Sequence, residues 1–293
     1  MSRLTCPACS ARFRVVLPDP GRVPYGITWW TSHGRYCLIA CERCGCQFLA
    51  FADRALRPTA RGNADVLATA KAYMERAGLP PLAETSRSKL SAREGRRLAK
   101  FYELAASSPN DPAVKEAYAA FRTEVREQFV ALERAGFRIE PWIQAGQPYA
   151  NSSEMMRDVR EHKHLYFFRT SAGNPSHALL PAEDNERFRA VHDLFGHAMR
   201  GNQFGPQGET NALRDHYYMF SRLSRKAMAT ETIGQNSWFN FSRLNQGRPP
   251  AERDFAEQKA VLLKSSLYDH LLLPVIRALS CRHRAAHARR QTA

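Results

Sequence analysis

Apolar residues recur at helical spacing through most of this chain. The clearest pattern begins at Pro112 and ends before Gly136; a proline in the first turn and a glycine after the last are typical helix boundaries. Its apolar side chains stand three, four and seven positions apart, which places them on one face: Val114, Ala117, Tyr118, Phe121, Val125, Phe129 and Leu132. Similar patterns predict helices over 64–77, 91–106, 184–201, 209–235 and 252–279.

Strand-like segments are short, and they fall into two groups. Residues 138–142 and 164–169 interrupt the helical patterns of the second half, whereas 13–17, 36–40 and 47–51 lie near the N terminus. The chain is therefore predicted to be mostly α, with a small β module at its N terminus and a helical metal-binding domain that contains a few short strands. We divide it into the N-terminal module (1–53), a linker (54–63), a helical region (64–136), the metal-binding domain (137–281) and a basic tail (282–293).

The cysteine pattern of the N-terminal module is typical of a zinc ribbon. Six of the seven cysteines lie within the first 46 residues. Two C-x-x-C pairs each place two thiolates on a tight turn, within reach of one tetrahedral structural zinc: Cys6, Cys9, Cys41 and Cys44. Cys37 or Cys46 could replace one of these ligands. The alternative is a small sheet with reduced, buried cysteines.

Charge and hydropathy indicate which binding partners and which cellular compartment to expect. The chain has 43 Lys and Arg against 28 Asp and Glu, a formal net charge of +15, which favours nucleic acid as a partner. A solvated basic surface is the alternative. No apolar run is long enough to span a membrane, and no signal-like segment begins the chain. We therefore expect a cytoplasmic protein without membrane contact.

Two histidines on one predicted helix are the strongest candidates for chemistry. His192 and His197 are five positions apart. A regular helix separates such residues by roughly 140°, but a bend or a single widened turn, made plausible by Gly196, would bring both imidazoles to one metal ion. The zinc proteases of the H-E-x-x-H type need a spacing of four and a glutamate beside the first histidine, so that class is disfavoured.

Several carboxylates compete to complete the site. Glu231 lies in the last turns of the following predicted helix, and two histidines with one carboxylate suit iron(II), with zinc as the alternative. Asp193 could orient a histidine ligand through its second ring nitrogen, and Asp215 with His216 could form a pair behind the ligands. The competing carboxylates are Asp193, Glu209 and Asp215.

Two segments resemble the iron site of the pterin-dependent aromatic amino acid hydroxylases. His192-Asp193-Leu194-Phe195-Gly196-His197 is similar to the H-E-L-L-G-H segment of that family, and Thr230-Glu231-Thr232-Ile233-Gly234 is similar to its T-x-E-x-G segment. The resemblance implies a mostly helical domain in which His192, His197 and Glu231 bind non-haem iron(II). It does not extend to pterin or an aromatic amino acid substrate, since no segment matches the pterin loop or the substrate-binding arginine. Residues 231–238 are also similar to uncharacterised phage-encoded proteins.

Three functions follow as alternatives. The first is a hydroxylase-like oxidoreductase that activates oxygen at iron(II), with Asp193 or Glu209 as a base or ligand orienter and the ribbon contacting nucleic acid or a protein. The second is a zinc-dependent hydrolase, in which the metal acidifies a bound water. The third is a non-enzymatic zinc-ribbon adaptor that binds nucleic acid. The segment 235–241, rich in amides and aromatic rings, either lines a substrate pocket or packs into the core.

Overall fold

The computed structural model describes six strand segments between residues 2 and 60, and the residues 62–82, 90–169 and 176–272. This part of the chain is mostly helical, as predicted. Within these ranges, no helix combines the length and the apolar run that crossing a bilayer requires. The N-terminal strands are β1 (Ser2–Thr5), β2 (Arg12–Val15), β3 (Thr28–Thr31), β4 (Gly34–Ala40), β5 (Gln47–Phe51) and β6 (Arg54–Ala60).

The helical part begins with α1 and contains one small sheet. Its elements are α1 (Ala64–Arg76), α2 (Ala92–Leu104), α3 (Pro112–Arg134), β7 (Arg138–Trp142), α4 (Ser152–His162), β8 (His164–Phe168), α5 (Ala182–Val191), a first π-helical turn (His192–Ala198), α6 (Pro206–Tyr217), α7 (Arg225–Ala229), a second π-helical turn (Thr230–Gly234) and α8 (Gln235–Phe241). Strands β7 and β8 pair in parallel.

The N-terminal strands form two antiparallel sheets, β1 with β2 and the four strands β3 to β6 in sequence order. Residues 54–60 were expected to belong to a linker, but they form β6, which pairs with β5 and so satisfies the backbone groups of that strand. The predicted zinc ligands Cys6, Cys9, Cys41 and Cys44 lie outside the described residues, as do the alternative ligand Cys46 and the basic tail. The zinc ribbon therefore stays a prediction.

Helix α3 packs one face against the core of the helical part and exposes the other. Asp111 caps its first turn by accepting hydrogen bonds from the backbone N–H groups of Ala113 and Val114. The predicted apolar face is buried, and Phe121 packs against Phe188 and Phe220 with ring centroids 4.8 and 5.4 Å apart. Burying a side chain of this size stabilises the fold by about 1.5–3 kcal/mol.

A buried carboxylate joins α3 to α5. Asp184, in the first turn of α5, is 1% exposed in its side chain and accepts from Arg122 Nε at 2.8 Å and Arg126 Nε at 2.7 Å. Arg126 adds a second hydrogen bond through Nη2 at 2.7 Å, so the pair is bidentate. Since α5 continues directly into the first π-helical turn, this contact fixes the helix that carries the two candidate histidines.

The helix predicted over 209–235 is interrupted. Its first part is α6, and the chain then turns before α7. The turn forms because Glu124 of α3 accepts hydrogen bonds from the backbone N–H of Ser221 at 2.8 Å and the hydroxyl of Ser224 at 2.7 Å. Such side-chain bonds to a local turn compete with helical backbone bonds.

The long helix predicted over 252–279 is wrong over residues 253–264; helical residues follow at 265–267 and 269–272. Residues 253–264 contain no helix. Their backbone groups bond to other elements instead: Ala260 C=O accepts from Ser108 N–H at 2.8 Å, and Leu263 N–H donates to the Thr230 hydroxyl at 3.0 Å. The apolar spacing of this segment reflects an irregular chain packed across the second π-helical turn.

Candidate metal centre

The first π-helical turn brings the two candidate histidines together. In such a turn backbone bonds join residues five apart, as between Met199 N–H and Leu194 C=O at 2.8 Å, so positions five apart share a face. The rings of His192 and His197 are 5.1 Å apart and nearly perpendicular. The widened turn that the spacing required is therefore present.

Gly196 lies within this turn for a steric reason. A Cβ atom at this position would lie 2.9 Å from both Cε1 and Nδ1 of His192, closer than non-bonded atoms approach. Only glycine leaves the His192 ring room to fold back over the turn.

A chain of hydrogen bonds assigns the protons of His192. Gln128 of α3 donates its amide N–H to Met219 C=O at 3.1 Å, which leaves its oxygen to accept from His216 Nε2–H at 2.6 Å. The other nitrogen of His216 must then accept, so it takes a proton from His192 Nδ1–H at 3.2 Å. Burial lowers the pKa of His216 well below its ordinary value, which keeps that ring neutral. His192 is left with a lone pair on Nε2.

His197 is held in the same tautomer by a different partner. Its Nδ1 lies 3.0 Å from the backbone carbonyl of Asn202, so it donates a proton there, and Nε2 carries the lone pair. The Asn202 side chain is fixed in turn by hydrogen bonds to Gly196 C=O and Asp215 Oδ2, both at 2.7 Å. When both rings are neutral, their Nδ1 atoms carry the protons and their Nε2 atoms are free to bind a metal ion.

Glu209 of α6 faces both of these nitrogens. Its two carboxylate oxygens lie 3.5 Å from His192 Nε2 and 3.4 Å from His197 Nε2, and the ligand atoms of all three residues lie within 4.8 Å of one another. Lone pairs facing a carboxylate repel it unless a cation lies between them. Neighbouring ligand atoms of a tetrahedral metal with bonds of about 2.1 Å are about 3.4 Å apart, so the three groups fit a divalent ion.

The pKa values of His197 and Glu209 also favour a positive charge between these side chains. Burial alone would lower the pKa of His197, but the carboxylates of Glu209 and Asp193 together with the Asn202 carbonyl raise it to about 9. Burial alone would raise the pKa of Glu209, but the two histidines hold it far below its ordinary value. The negative charge of the buried Glu209 carboxylate can be neutralised either by a proton on His197 or by a metal ion between the three side chains.

Glu231 lies in the second π-helical turn and is not part of this group of three. One of its oxygens accepts from the Tyr118 hydroxyl and lies 3.5 Å from His177 Nε2, while the other accepts from the Gln235 amide. The ring nitrogen Nδ1 of His177 accepts from Leu179 N–H at 3.0 Å, so Nε2 carries the proton. Burial raises the pKa of Glu231 to about 7.

Asp193 has a different position from the one expected of a ligand orienter. It forms no hydrogen bond with either candidate ligand among the described residues, because the Nδ1 atoms of the two histidines face His216 and the Asn202 carbonyl. The partner predicted for His216 was Asp215, which instead accepts from Asn202. Both residues of the predicted pair therefore lie behind the ligands, each behind a different histidine.

Three residues near the ligands were missed in the sequence. His177 follows no recognisable pattern, and Asn202 acts through its backbone carbonyl, which a sequence does not display. Gln128 left a signal, since it is a polar residue on the apolar face of α3, one turn from Val125 and from Leu132. A fully buried amide at such a position needs hydrogen-bonding partners inside the core.

A cavity of about 270 Å³ opens beside the three-residue group. His192, Glu209 and Glu231 all line it, so Glu231 faces the cavity without belonging to the group. The sequence left open whether the segment 235–241 lines a pocket or packs into the core. In the structure it does both, because Trp238 is buried and three of its other residues line the cavity. The remaining lining residues are Arg189, Thr232, Gln235, Asn236, Phe239, Phe255, Ala256 and Gln258.

Comparison of the chain with protein-family models, with curated proteins and with solved structures gives no match. The hydrogen-bonding geometry of the site and its chemistry carry the functional argument.

Proposed function

We propose that the protein is an enzyme that holds one divalent metal ion through His192, His197 and Glu209, and that it activates oxygen at iron(II). The observation that carries the proposal is that the Nε2 atoms of both histidines face one carboxylate at 3.4 and 3.5 Å, while their Nδ1 atoms bond to His216 and to the Asn202 carbonyl. Two imidazoles and one carboxylate are the donor set of non-haem iron(II) oxygenases, and they leave further coordination positions open.

The chain's own residues supply the rest of the site. When bound, iron(II) supplies electrons to dioxygen. The cavity beside the ligands gives a co-substrate access while the π-helical turn remains buried. Glu231, held by Tyr118 and Gln235, can take up or release a proton at the cavity wall, because its pKa of about 7 lies near neutral pH.

Iron is preferred to zinc because the two π-helical turns coincide with the segments that resemble the hydroxylase iron site. The same donor set also binds catalytic zinc, so the metal itself has to be measured. Protein purified without oxygen should contain about one equivalent of iron in addition to any zinc in the cysteine module. Nitric oxide, a surrogate for oxygen, should give the paramagnetic signal of an iron(II) nitrosyl if coordination positions are open.

Variants separate this site from any other metal in the chain. His192→Ala should remove the iron and leave zinc unchanged, whereas His162→Ala, which alters an exposed histidine at the end of α4, should change neither. Zinc in place of iron would favour a hydrolase. Retention of all metal by His192→Ala would overturn the proposal.

A second pair of variants identifies the carboxylate ligand. Glu209→Gln should release the metal, because an amide oxygen is a poorer ligand than a carboxylate facing two imidazoles. Glu231→Gln should keep the metal, because the side chain of Glu231 bonds to Tyr118 and Gln235. The opposite pattern would return the ligand role to Glu231, as the sequence resemblance implies.

A further inference from the structure

The cavity contains a guanidinium whose partner is missing from the described residues. Arg189 lies in the last turn of α5, three residues before His192, so both side chains face the cavity from neighbouring turns. No described residue forms a hydrogen bond or ion pair with it, although burial lowers its pKa and the charges of Asp193, Glu186 and Glu231 act in the opposite direction. Arg189 is half-buried at the cavity, and the forked donors of its guanidinium match a phosphate or carboxylate.

Aromatic rings lie at the same cavity. Phe239 of α8 and Phe255 stack with ring centroids 5.5 Å apart and an interplanar angle of 23°. Phe255 is 59% exposed, although it is a large apolar residue, and Arg253 covers the Phe239 ring at 5.6 Å. An exposed ring that lines a cavity offers a flat surface to another flat group.

Primary amides complete this side of the cavity. Gln258 Nε2 donates to Gln235 Oε1 at 3.3 Å, while the Gln235 amide donates to Glu231 and to Gln258. Gln235 therefore positions Gln258, which keeps an N–H at the cavity free of described partners. Asn236 follows in α8 and accepts from Asn240 through its oxygen at 3.1 Å. An amide presents a donor and an acceptor side by side, which is the pattern that reads the edge of a nucleobase.

The size of the cavity limits the ligand to about one nucleobase with its sugar and phosphate. Its volume of about 270 Å³ lies just below the range of about 300–1,000 Å³ that is usual for small-molecule sites. Arg189 is the one Lys or Arg side chain among the described lining residues, whereas Glu209 and Glu231 are carboxylates, so a phosphate would bind at Arg189.

We propose that Arg189, the Phe239–Phe255 pair and the three amides bind a nucleoside monophosphate unit, with phosphate on Arg189 and the base against the aromatic rings. The unit is either a free nucleotide or one nucleotide of a single strand turned into the cavity. The inference deepens the proposed function, because it names the substrate class of the same cavity.

Calorimetric titration with free deoxynucleoside monophosphates and their nucleosides tests the proposal. At least one monophosphate should bind about tenfold or more tightly than its own nucleoside, because the nucleoside lacks the charged partner of Arg189. Arg189→Met should abolish this difference. Arg187→Met is the matched control, because Arg187 lies on the same helix but bonds to Glu183 and Asp184 and does not line the cavity, and it should preserve the difference.

The stacking contact has its own variant. Phe255→Ala should weaken binding of the monophosphate about fivefold or more, because base-on-ring stacking is lost. Leu244→Ala removes another exposed apolar side chain away from the cavity lining, and it should have no effect. Both positions are exposed, so neither change should prevent folding.

Titration with a short single-stranded oligonucleotide separates the two sources of the ligand. Binding that depends on Arg189 supports the proposal for either ligand. If the free monophosphate binds, the natural ligand is a free nucleotide; if only the oligonucleotide binds, it is a nucleotide within a strand. No binding in either arm, or equal binding by the wild type and Arg189→Met, would overturn it. So would benzoate binding as tightly as the monophosphates, since a ring acid would then suffice.

The titrations are repeated with His192→Ala to separate this proposal from the metal proposal. Among the described residues no hydrogen bond or ion pair joins Arg189 to His192, so the variant should still distinguish the monophosphate from its nucleoside. If the metal analysis fails while this difference persists, the nucleotide site stands alone. If the difference is absent in both proteins while the metal is present, only the nucleotide proposal fails.

Discussion

The proton on each candidate histidine ligand is placed by a single neighbour. For His192 this neighbour is His216, whose orientation depends in turn on Gln128. Rotation of either ring would move a proton towards Glu209 and remove a lone pair from the site. Groups behind metal ligands commonly fix the tautomer in this way, and their loss reduces metal affinity without removing a ligand.

Gln128→Leu should therefore weaken the metal site although residue 128 binds no metal. The change removes the acceptor for His216 Nε2–H while keeping a side chain of similar volume, and the expected loss is about 10- to 100-fold in metal affinity. Chelator competition at fixed pH measures it. Gln128→Glu keeps the acceptor for His216 but loses the hydrogen bond to Met219 C=O, so it should restore part of the affinity.

The control for this change is Gln144→Leu, which alters an exposed glutamine and should leave metal affinity at the wild-type value. Equal losses in Gln128→Leu and Gln128→Glu would indicate that packing, rather than the acceptor, matters at position 128. In that case the hydrogen-bond chain would not explain the tautomer of His192.

Sequence reasoning could reach the histidines but not the carboxylate. The spacing of His192 and His197 is a local property, so the need for a widened turn followed from the helix geometry alone. The choice between Glu209 and Glu231 depends on where α6 and the second π-helical turn pass relative to the first, which is set by packing over long sequence separations. The motif resemblance favours Glu231, whereas the grouping of ligand atoms favours Glu209.

At the scale of elements, the sequence predicted the regular helices and strands but not the places where a helix is interrupted. The apolar face of α3 and the strands predicted over 138–142 and 164–169 were confirmed, the second strand ending at Phe168. For α3, burial on one face leaves a periodic sequence. The break between α6 and α7 depends on Glu124, which lies far away in the sequence. The irregular segment 253–264 keeps an apolar spacing that resembles a helix because it also packs on one side.

The first π-helical turn gives a prediction at this scale. Gly196→Ala should displace the His192 ring, because the added methyl group would lie 2.9 Å from two of its atoms. We expect metal affinity to fall about tenfold or more, with a loss of about 1–3 kcal/mol in the free energy of unfolding. Metal titration and urea unfolding measure the two effects separately.

Gly234→Ala is the matched control in the second π-helical turn. Its Cβ would lie 2.9 Å from Leu263 and 3.0 Å from Tyr102, neither of which is a candidate ligand. This variant should lose a similar amount of stability and keep its metal affinity. Equal metal loss in both variants would show that the first turn has no special role.

At the scale of the whole molecule, the site lies where buried polar groups of separate elements meet inside an apolar core. Helix α3 contributes Gln128 and Tyr118, the turn after α5 contributes the histidines, and α6 contributes Glu209 and His216. Each of these polar groups is costly to bury alone and is stabilised only by the others. The relative position of α3 and α5 therefore matters for the site as well as for stability.

Asp184, which joins these two helices, gives a prediction about stability and pH. Burial alone would raise the pKa of Asp184, but hydrogen bonds and charge from Arg126 and Arg122 hold it below its ordinary value. A carboxylate whose folded-state pKa is lowered contributes its full stabilisation above its unfolded-state pKa of about 4, and loses it as the pH falls through the folded-state value. Asp184→Asn should therefore lower the free energy of unfolding by about 2 kcal/mol at neutral pH.

Urea unfolding of the wild type and Asp184→Asn at pH values from neutral to strongly acidic measures this effect. The difference between the two proteins should be constant above about pH 4 and shrink below it, as the wild-type carboxylate becomes protonated. Glu183→Gln breaks an exposed pair with Arg187 on the same helix turn and should cost less than about 1 kcal/mol at any pH. A difference for Asp184→Asn that persists undiminished in acid would mean that the two arginines do not stabilise its charge. The coupling of α3 to the metal-bearing helix would then have to come from the packing of Phe121 against Phe188.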